Sequence, residues 1–252
     1  MFPIASLAFV GGMVTGSFVG VVAYRLPRGA SIVGPRSVCD SCGGQIAAYD
    51  NVPVVSWLVL RGRCRDCGSR IPLRYPLIEL AVGLAFAATA VVLHDDPAQL
   101  ALGLVFVAML AAITLTDLER QIIPNSILLV GAAVGLVLVA ATDPSSLPER
   151  LIAAAGAGGL LLIIGLAYPR GMGMGDVKLA AVMGLYLGSA IAPALMVGVL
   201  SGTVVGLCLM IARGSGARKL KVPFGPFLAL GGVVALLAGD QMIDAYLNAF
   251  VR

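Results

Sequence analysis

Charge is the scarcest property of this chain. Charged residues make up 12% of its 252 residues, with one His and one Trp, while hydrophobic residues reach 59%. A soluble domain carries about 25% charged residues. So few polar groups cannot cover a globular surface in water, but the composition suits a surface that faces hydrocarbon. A basic start is also missing: Met1-Phe2-Pro3 is uncharged and the first cation, Arg25, follows the first apolar run. That order predicts a retained first span with its N-terminus outside, not a cleaved signal peptide. No long repeat and no low-complexity tract is present, and no nucleic-acid partner is expected. The partner that the composition demands is the lipid bilayer.

What is present comes in apolar runs near the ~20 residues that a bilayer span needs. They cover 4–24, 75–93, 98–116, 127–141, 151–167, 177–192, 194–212 and 224–247. The predicted fold is therefore all-α and polytopic, with about eight transmembrane helices. Gly188, Ser189 and Pro193 break the sixth run early, so it reads as a short span or part of a re-entrant pair. The expected organisation is a first transmembrane helix over 1–26, a polar loop over 27–73 and a membrane core over 74–252.

Orientation follows from the Lys/Arg asymmetry. With the N-terminus outside, 15 of the 17 cations fall on inner segments: Arg25, Arg28, Arg36, Arg61, Arg63, Arg65, Arg70, Arg74, Arg120, Arg170, Lys178, Arg213, Arg218, Lys219 and Lys221. Only Arg150 and Arg252 fall outside. Both chain ends then face outward and the 27–73 loop faces the cytosol. The short acidic segments around Asp95-Asp96 and Asp143 fall on the outer side.

Four of the five cysteines stand as two C-x-x-C pairs in the polar loop, Cys39/Cys42 and Cys64/Cys67, with 21 residues between Cys42 and Cys64. Each pair offers two thiolates, and four thiolates in a tetrahedron suit Zn²⁺. Gly43 and Gly68 follow the second Cys of each pair and leave the backbone room to turn. Flanking arginines are expected to help keep the thiolates ionised. A redox pair and a metal-free loop are the alternatives. A loop of this length has little core of its own, so a structural metal is the preferred reading. The fifth cysteine, Cys208, lies in an apolar run.

Two acids interrupt apolar sequence. Asp117 ends the third run and Asp176 opens the sixth, in Gly173-Met174-Gly175-Asp176-Val177-Lys178. By the topology above both lie at the cytosolic membrane face. An ionisable group in or beside a span is costly and is a functional candidate by default. Two carboxylates on one side suggest acid–base work on a water molecule: held close, they share a proton, and one draws a proton from water while the other donates to a carbonyl. Gly173 and Gly175 would let a substrate backbone come close. The plainer readings are an interfacial Asp117–Arg120 pair and an Asp176 held by the dipole of its own helix. Glu119 reads as a solvated charge. Lys178 reads as a neutralising charge or a partner for lipid phosphate. Glu79 is a candidate for active-site support, paired with Arg74 or Lys178 or touching the substrate.

Taken together, these residues resemble the type IV prepilin peptidase family, whose members act as leader peptidase and N-methyltransferase. The resemblance is carried by Gly16-Ser17-Phe18-Val19-Gly20 through Tyr24-Arg25-Leu26-Pro27, the paired C-x-x-C loop, Arg74-Tyr75-Pro76-Leu77-Ile78-Glu79, Asp117 ahead of Ile123-Pro124, and Gly173-Met174-Gly175-Asp176-Val177-Lys178-Leu179. It implies a GxGD-type intramembrane aspartic peptidase with Asp117 and Asp176 as the catalytic pair. It implies a prepilin or pseudopilin substrate with a short basic leader, and a place in type IV pilus or type II secretion systems at the bacterial inner membrane. It also implies methylation of the new N-terminus from S-adenosylmethionine; no known fingerprint for that donor is visible. Asn125 stands where many members have Asp, and Gly20 where Asn is common; position 125 is therefore expected to be non-catalytic. The competing readings are a peptidase that has lost methylation, and a transporter or assembly subunit using the two aspartates as a proton relay. No inverted repeat supports a transporter.

Overall fold

A computed structural model describes residues 2–34, 36–168, 172–213 and 222–250. Met1, Arg170, Arg218, Lys219, Lys221 and Arg252, used above, lie outside the described residues. Among the described residues nine α-helices run in order: α1 Phe2–Arg25, α2 Val55–Val59, α3 Arg74–Leu93, α4 Pro97–Arg120, α5 Asn125–Thr142, α6 Leu147–Ala167, α7 Met174–Leu187, α8 Ile191–Arg213 and α9 Gly225–Phe250. Among the described residues the only β structure is two isolated bridges, Val38–Gln45 and Arg63–Arg70. Helices suit hydrocarbon, because each satisfies its own backbone where no water can. The outward faces agree: Leu129, Val130 and Val137 on α5 and Ile152 and Ile163 on α6 are exposed apolar side chains.

Seven helical segments among the described residues are long and apolar enough to cross a membrane, with Met174–Ala212 counting as one of 39 residues. The eight expected runs map onto eight helices, and the difference in count lies in this segment. Gly188 adopts φ 56° and ψ −132° and closes α7 by donating its N–H to Gly184 O. A side chain would be strained there, and glycine is not. The chain then makes one 3₁₀ turn, Gly188–Ala190, before α8. α7 has 14 residues, about 21 Å at 1.5 Å per residue, which falls short of a ~30 Å hydrocarbon core.

The chain forms two compact units, Met1–His94 and Asp95–Arg252. In the first, α1 packs along α3. In the second, α4 packs on α5 and α9, α7 on α5 and α6, and α8 on α9. Its core holds Phe106, Leu110, Ile113, Leu179, Met183 and Leu228, all almost fully enclosed. Helix starts are set by local chemistry. Asp96 caps α4 by accepting from Ala98 N–H (2.9 Å) and Gln99 N–H (3.0 Å), with Pro97 in the first turn.

α7 is held on two sides. Against α6 the backbones touch: a Cβ on Gly184 would stand 2.6 Å from Ala154 N and 2.7 Å from Ala153 O. Against α4 and α5, Tyr186 stacks on Phe106 with ring centroids 4.9 Å apart and donates its O–H to Gly131 O at 2.6 Å. The far end of α7 meets a cation. Arg150, 8% exposed, donates to Leu185 O (3.3 Å), to Tyr186 O and to Ser146 Oγ (3.1 Å). A cation at a helix C-terminus satisfies carbonyls that lack intrahelical partners. Arg150→Ala should therefore lower stability in detergent by on the order of 2 kcal/mol, the usual worth of lost hydrogen bonds to a charged group. Thermal unfolding of the purified variant checks this; an unchanged midpoint would mean that those carbonyls find other donors.

Candidate active site and metal centre

Asp117 lies in the last turn of α4 and is 6% exposed. Its Oδ2 accepts from Gly225 N–H at 2.8 Å. Gly225 is the first residue of α9, 108 positions further along the chain. A Cβ at 225 would stand 2.6 Å from that same Oδ2. The carboxylate thus occupies the space that a side chain would fill, and it faces the N-terminal end of a helix, where free N–H groups favour an anion. Arg120 is exposed, and the recorded partner of Asp117 is the Gly225 amide, not that guanidinium. The sequence reading missed Gly225. Its one local signal is a glycine between Phe224 and Pro226, which resembles any helix start.

Asp176 is the third residue of α7 and is 9% exposed. Its Oδ2 accepts from Gly173 N–H at 3.3 Å, reaching back to the residue just before the helix. α4 and α7 are in contact. Each of these two contacting helices thus carries one buried carboxylate, which accepts from a backbone N–H. Gly175 packs on Ile123; a Cβ there would stand 2.9 Å from the isoleucine Cβ. Lys178 is exposed and donates from Nζ to Asn125 Oδ1 at 2.9 Å, which joins α7 to the first residue of α5. Glu119 is exposed.

Glu79 belongs to the first unit, and both aspartates belong to the second. Its Oε2 accepts from Val54 N–H at 2.7 Å.

The two cysteine knuckles have the same construction. In the first, Cys39 N–H donates to Gly44 O and Gly43 N–H to Cys39 O; in the second, Cys64 N–H donates to Ser69 O and Gly68 N–H to Cys64 O. Gly43 and Gly68 both take φ 70°, the left-handed conformation that glycine adopts freely. A bridge closes each knuckle. The four sulfur atoms lie within 4.8 Å of one another, and Cys39 Sγ is 3.8 Å from Cys67 Sγ. A tetrahedron with Zn–S bonds of about 2.3 Å has edges of about 3.8 Å, so the donor set and its spacing fit the ion.

Without a metal the thiols titrate unequally. A hydrogen bond with Ser69, helped by the backbone at Cys42 and Ser41, draws Cys39 down to about 6. Cys67 is also lowered, first by Ser69. Cys42 receives the Gly44 N–H, but its neighbours Cys39 and Cys67 prevail and push it up to about 11. Four adjacent thiolates need a cation to share. The arginine expected to provide part of that charge does something else. Arg65 grips Asp50 with both its Nε (2.8 Å) and Nη2 (2.6 Å) and is engaged there. The Ser69 hydroxyl lies beside Cys39 Sγ (3.5 Å) and Cys67 Sγ (3.1 Å). Cys208 is exposed on α8 and is not part of the cluster.

Comparison with known proteins agrees with this division. Residues 10–93 match the model of the bacterial peptidase A24 N-terminal domain, and residues 104–211 match the type IV leader peptidase family. Curated relatives align over nearly the whole chain. A prepilin leader peptidase/N-methyltransferase of Aeromonas hydrophila is 34% identical, over 98% of this chain and 94% of the relative. One of Bacillus subtilis (strain 168) is 32% identical, over 96% and 98%. One of Pseudomonas putida is 34% identical, over 94% and 91%. No solved structure matches. A helical membrane chain, with two buried aspartates in its second unit and these full-length relatives, belongs to the type IV leader peptidase family.

Proposed function

We propose that this protein is a bacterial inner-membrane endopeptidase that removes the basic leader of type IV prepilins or pseudopilins and then methylates the new N-terminus. Both chain ends face outward, the 27–73 loop faces the cytosol, and the peptidase chemistry resides in 74–252 at the cytosolic membrane face. The observation that carries the peptidase reading is the pair of buried carboxylates, Asp117 and Asp176, on touching helices.

The chemistry follows from that pair. Two adjacent carboxyl groups hold one proton between them. The ionised member takes a proton from a water molecule as its oxygen forms a bond to the scissile carbonyl carbon. The protonated member donates to the carbonyl oxygen, which becomes a hydroxyl. Collapse of the tetrahedral intermediate breaks the C–N bond, and the amine leaves with a proton returned by the pair. The N–H of Gly225 holds the Asp117 carboxylate in place throughout, and that of Gly173 holds Asp176. Gly173 and Gly175 keep the approach to Asp176 free of side chains. S-adenosylmethionine, when bound, supplies an electrophilic methyl group for the second reaction. Cys39, Cys42, Cys64 and Cys67 hold a structural Zn²⁺ that folds the loop and takes no part in peptide hydrolysis.

Asp117→Asn and Asp176→Asn should each abolish leader cleavage in a purified prepilin assay, by at least about 10³-fold, while inserting and folding normally. An amide keeps the size but cannot exchange the proton. Substantial cleavage by well-folded Asp176→Asn protein would return the aspartates to a proton-relay role. Gly225→Ala should cost about 10²-fold in kcat with little change in KM, since its methyl group would stand 2.6 Å from Asp117 Oδ2 and push it aside by nearly the ~1 Å that spoils a reacting geometry. A KM effect alone would place Gly225 in substrate binding instead.

The metal has its own test. Elemental analysis should give one Zn²⁺ per chain, lost on replacing either Cys pair by Ser. Zinc affinity should fall as pH drops from 8 towards 5, because the thiols must release protons to bind. Active protein without zinc would exclude the four-thiolate site. The orientation is checked by labelling intact cells at cysteines introduced at Asp143 and Ser215: reaction at the first and protection at the second is expected.

A further inference from the structure

The two cysteine knuckles share a backbone but not a charge. In each, an antiparallel bridge closes the turn, Val38–Gln45 in the first and Arg63–Arg70 in the second. The flanking hydrogen bonds make both the narrow kind of pair: Ile46 N–H donates to Ser37 O beyond the first bridge, and Ile71 N–H to Gly62 O beyond the second. Side chains stand closest at such a pair, with Cα atoms about 4.5 Å apart. The first knuckle puts an uncharged couple there. The second puts two guanidinium groups, and like charges directly opposite one another are destabilising. The first knuckle shows that the construction does not need them, so Arg63 and Arg70 point to an anion.

A third cation joins them. Arg61, Arg63, Arg70 and Leu73 line one open depression of about 390 Å³. Trp57 also lines it and is fixed there: its Nε1 donates to Ile71 O at 3.1 Å, and its ring packs on Gly62, where a Cβ would stand 2.8 Å from Cζ2. The three arginines are exposed, and the one ion pair recorded among the described residues, Asp50–Arg65, uses none of them. No cysteine lines the depression, which sets it apart from the metal cluster. Trp57 and Arg70 also border a larger cavity of the same unit, while Arg61, Arg63 and Leu73 do not.

The helix that carries Trp57 has its faces reversed. On α2, Ser56 is buried, while Val55, Leu58 and Val59 share the other face at i, i+3 and i+4 and are all more than half exposed. Leu73 at the depression is equally exposed and stands one residue before α3, a span that begins at Arg74. Water alone would select the opposite arrangement, with the apolar face inward. Apolar side chains beside arginines fit an anionic phospholipid surface: acyl chains take the valines and leucines, and lipid phosphates accept from the guanidinium forks. An acidic protein would suit the arginines but would also need apolar pockets for α2, whereas the start of α3 brings lipid to Leu73. We infer that α2 and the second knuckle dock on the anionic phospholipid surface of the bilayer that α3 enters. The docking is independent of the chemistry proposed for the aspartates.

Hydrogen exchange of full-length protein in nanodiscs tests it, read by mass spectrometry on peptides covering 55–63. One set of discs holds phosphatidylcholine alone and the other adds phosphatidylglycerol. The α2 amides should exchange more slowly in the anionic discs, and the difference should shrink as salt is raised. Arg61→Gln with Arg63→Gln should speed exchange in anionic discs by about 25-fold, or about fivefold for each arginine near an anionic surface, and leave the neutral discs unchanged. Arg61→Lys with Arg63→Lys should keep most of the protection. Leu58→Ser with Val59→Ser should remove it in both lipids. Zinc content confirms that each variant is folded; if the double glutamine variant loses zinc, Arg61→Gln alone takes its place with the fivefold effect expected. Equal wild-type exchange in neutral and anionic discs would overturn the proposal, and so would a lipid difference that persists in the folded glutamine variant. Protection as strong in lipid-free detergent as in anionic discs would mean that protein covers this face, which also overturns it.

Discussion

A carboxylate buried in a helical bundle must be compensated, and the arrangement of the second unit follows from how this is done. Among the described residues, Asp117 and Asp176 are compensated by backbone amides at helix starts and not by lysine or arginine. Gly225 N–H serves the first and Gly173 N–H the second. A cation would give stronger compensation but would remove the proton exchange that acid–base chemistry needs. A helix N-terminus stabilises an anion only partially, which leaves the group available for proton transfer. The requirement reaches well beyond the site. α9 must present a glycine to α4, and α7 must start so that its third residue, Asp176, is buried on the helix that touches α4. α7 must also keep its position along its axis, which is the work of Gly184, Tyr186 and Arg150 at its other end.

The first unit solves a different problem. A polar loop between two apolar helices has too few buried side chains to fold by itself. Two knuckles of the same backbone design bring four sulfurs to the spacing of a zinc tetrahedron. The Asp50–Arg65 pair and the Glu79–Val54 hydrogen bond tie the knuckles and the segment between them to each other and to α3.

Legibility in the sequence tracks the range of the interaction. The spans were readable because hydropathy is a local property, and so was the early break at Gly188. The cysteine pairs and the two aspartates were readable because each is an anomaly in its own stretch of chain. Gly225, Ser69, Arg150 and Val54 were not readable. Their roles depend on partners brought close only by folding, as with Gly225 and Asp117. Arg65 shows the same limit from the other side. Its position beside Cys64 suggested a charge for the thiolates, but the fold offers it Asp50, and a bidentate carboxylate is the better partner for a guanidinium.

The central claim is that water, activated between two carboxyl groups, attacks the peptide bond directly. Leader cleavage run in the presence of hydroxylamine and H₂¹⁸O tests it most directly, with the released leader examined by mass spectrometry. Direct attack predicts one ¹⁸O in the new carboxyl group and no hydroxamate at any hydroxylamine concentration. A leader hydroxamate would reveal a covalent acyl-enzyme and contradict the mechanism.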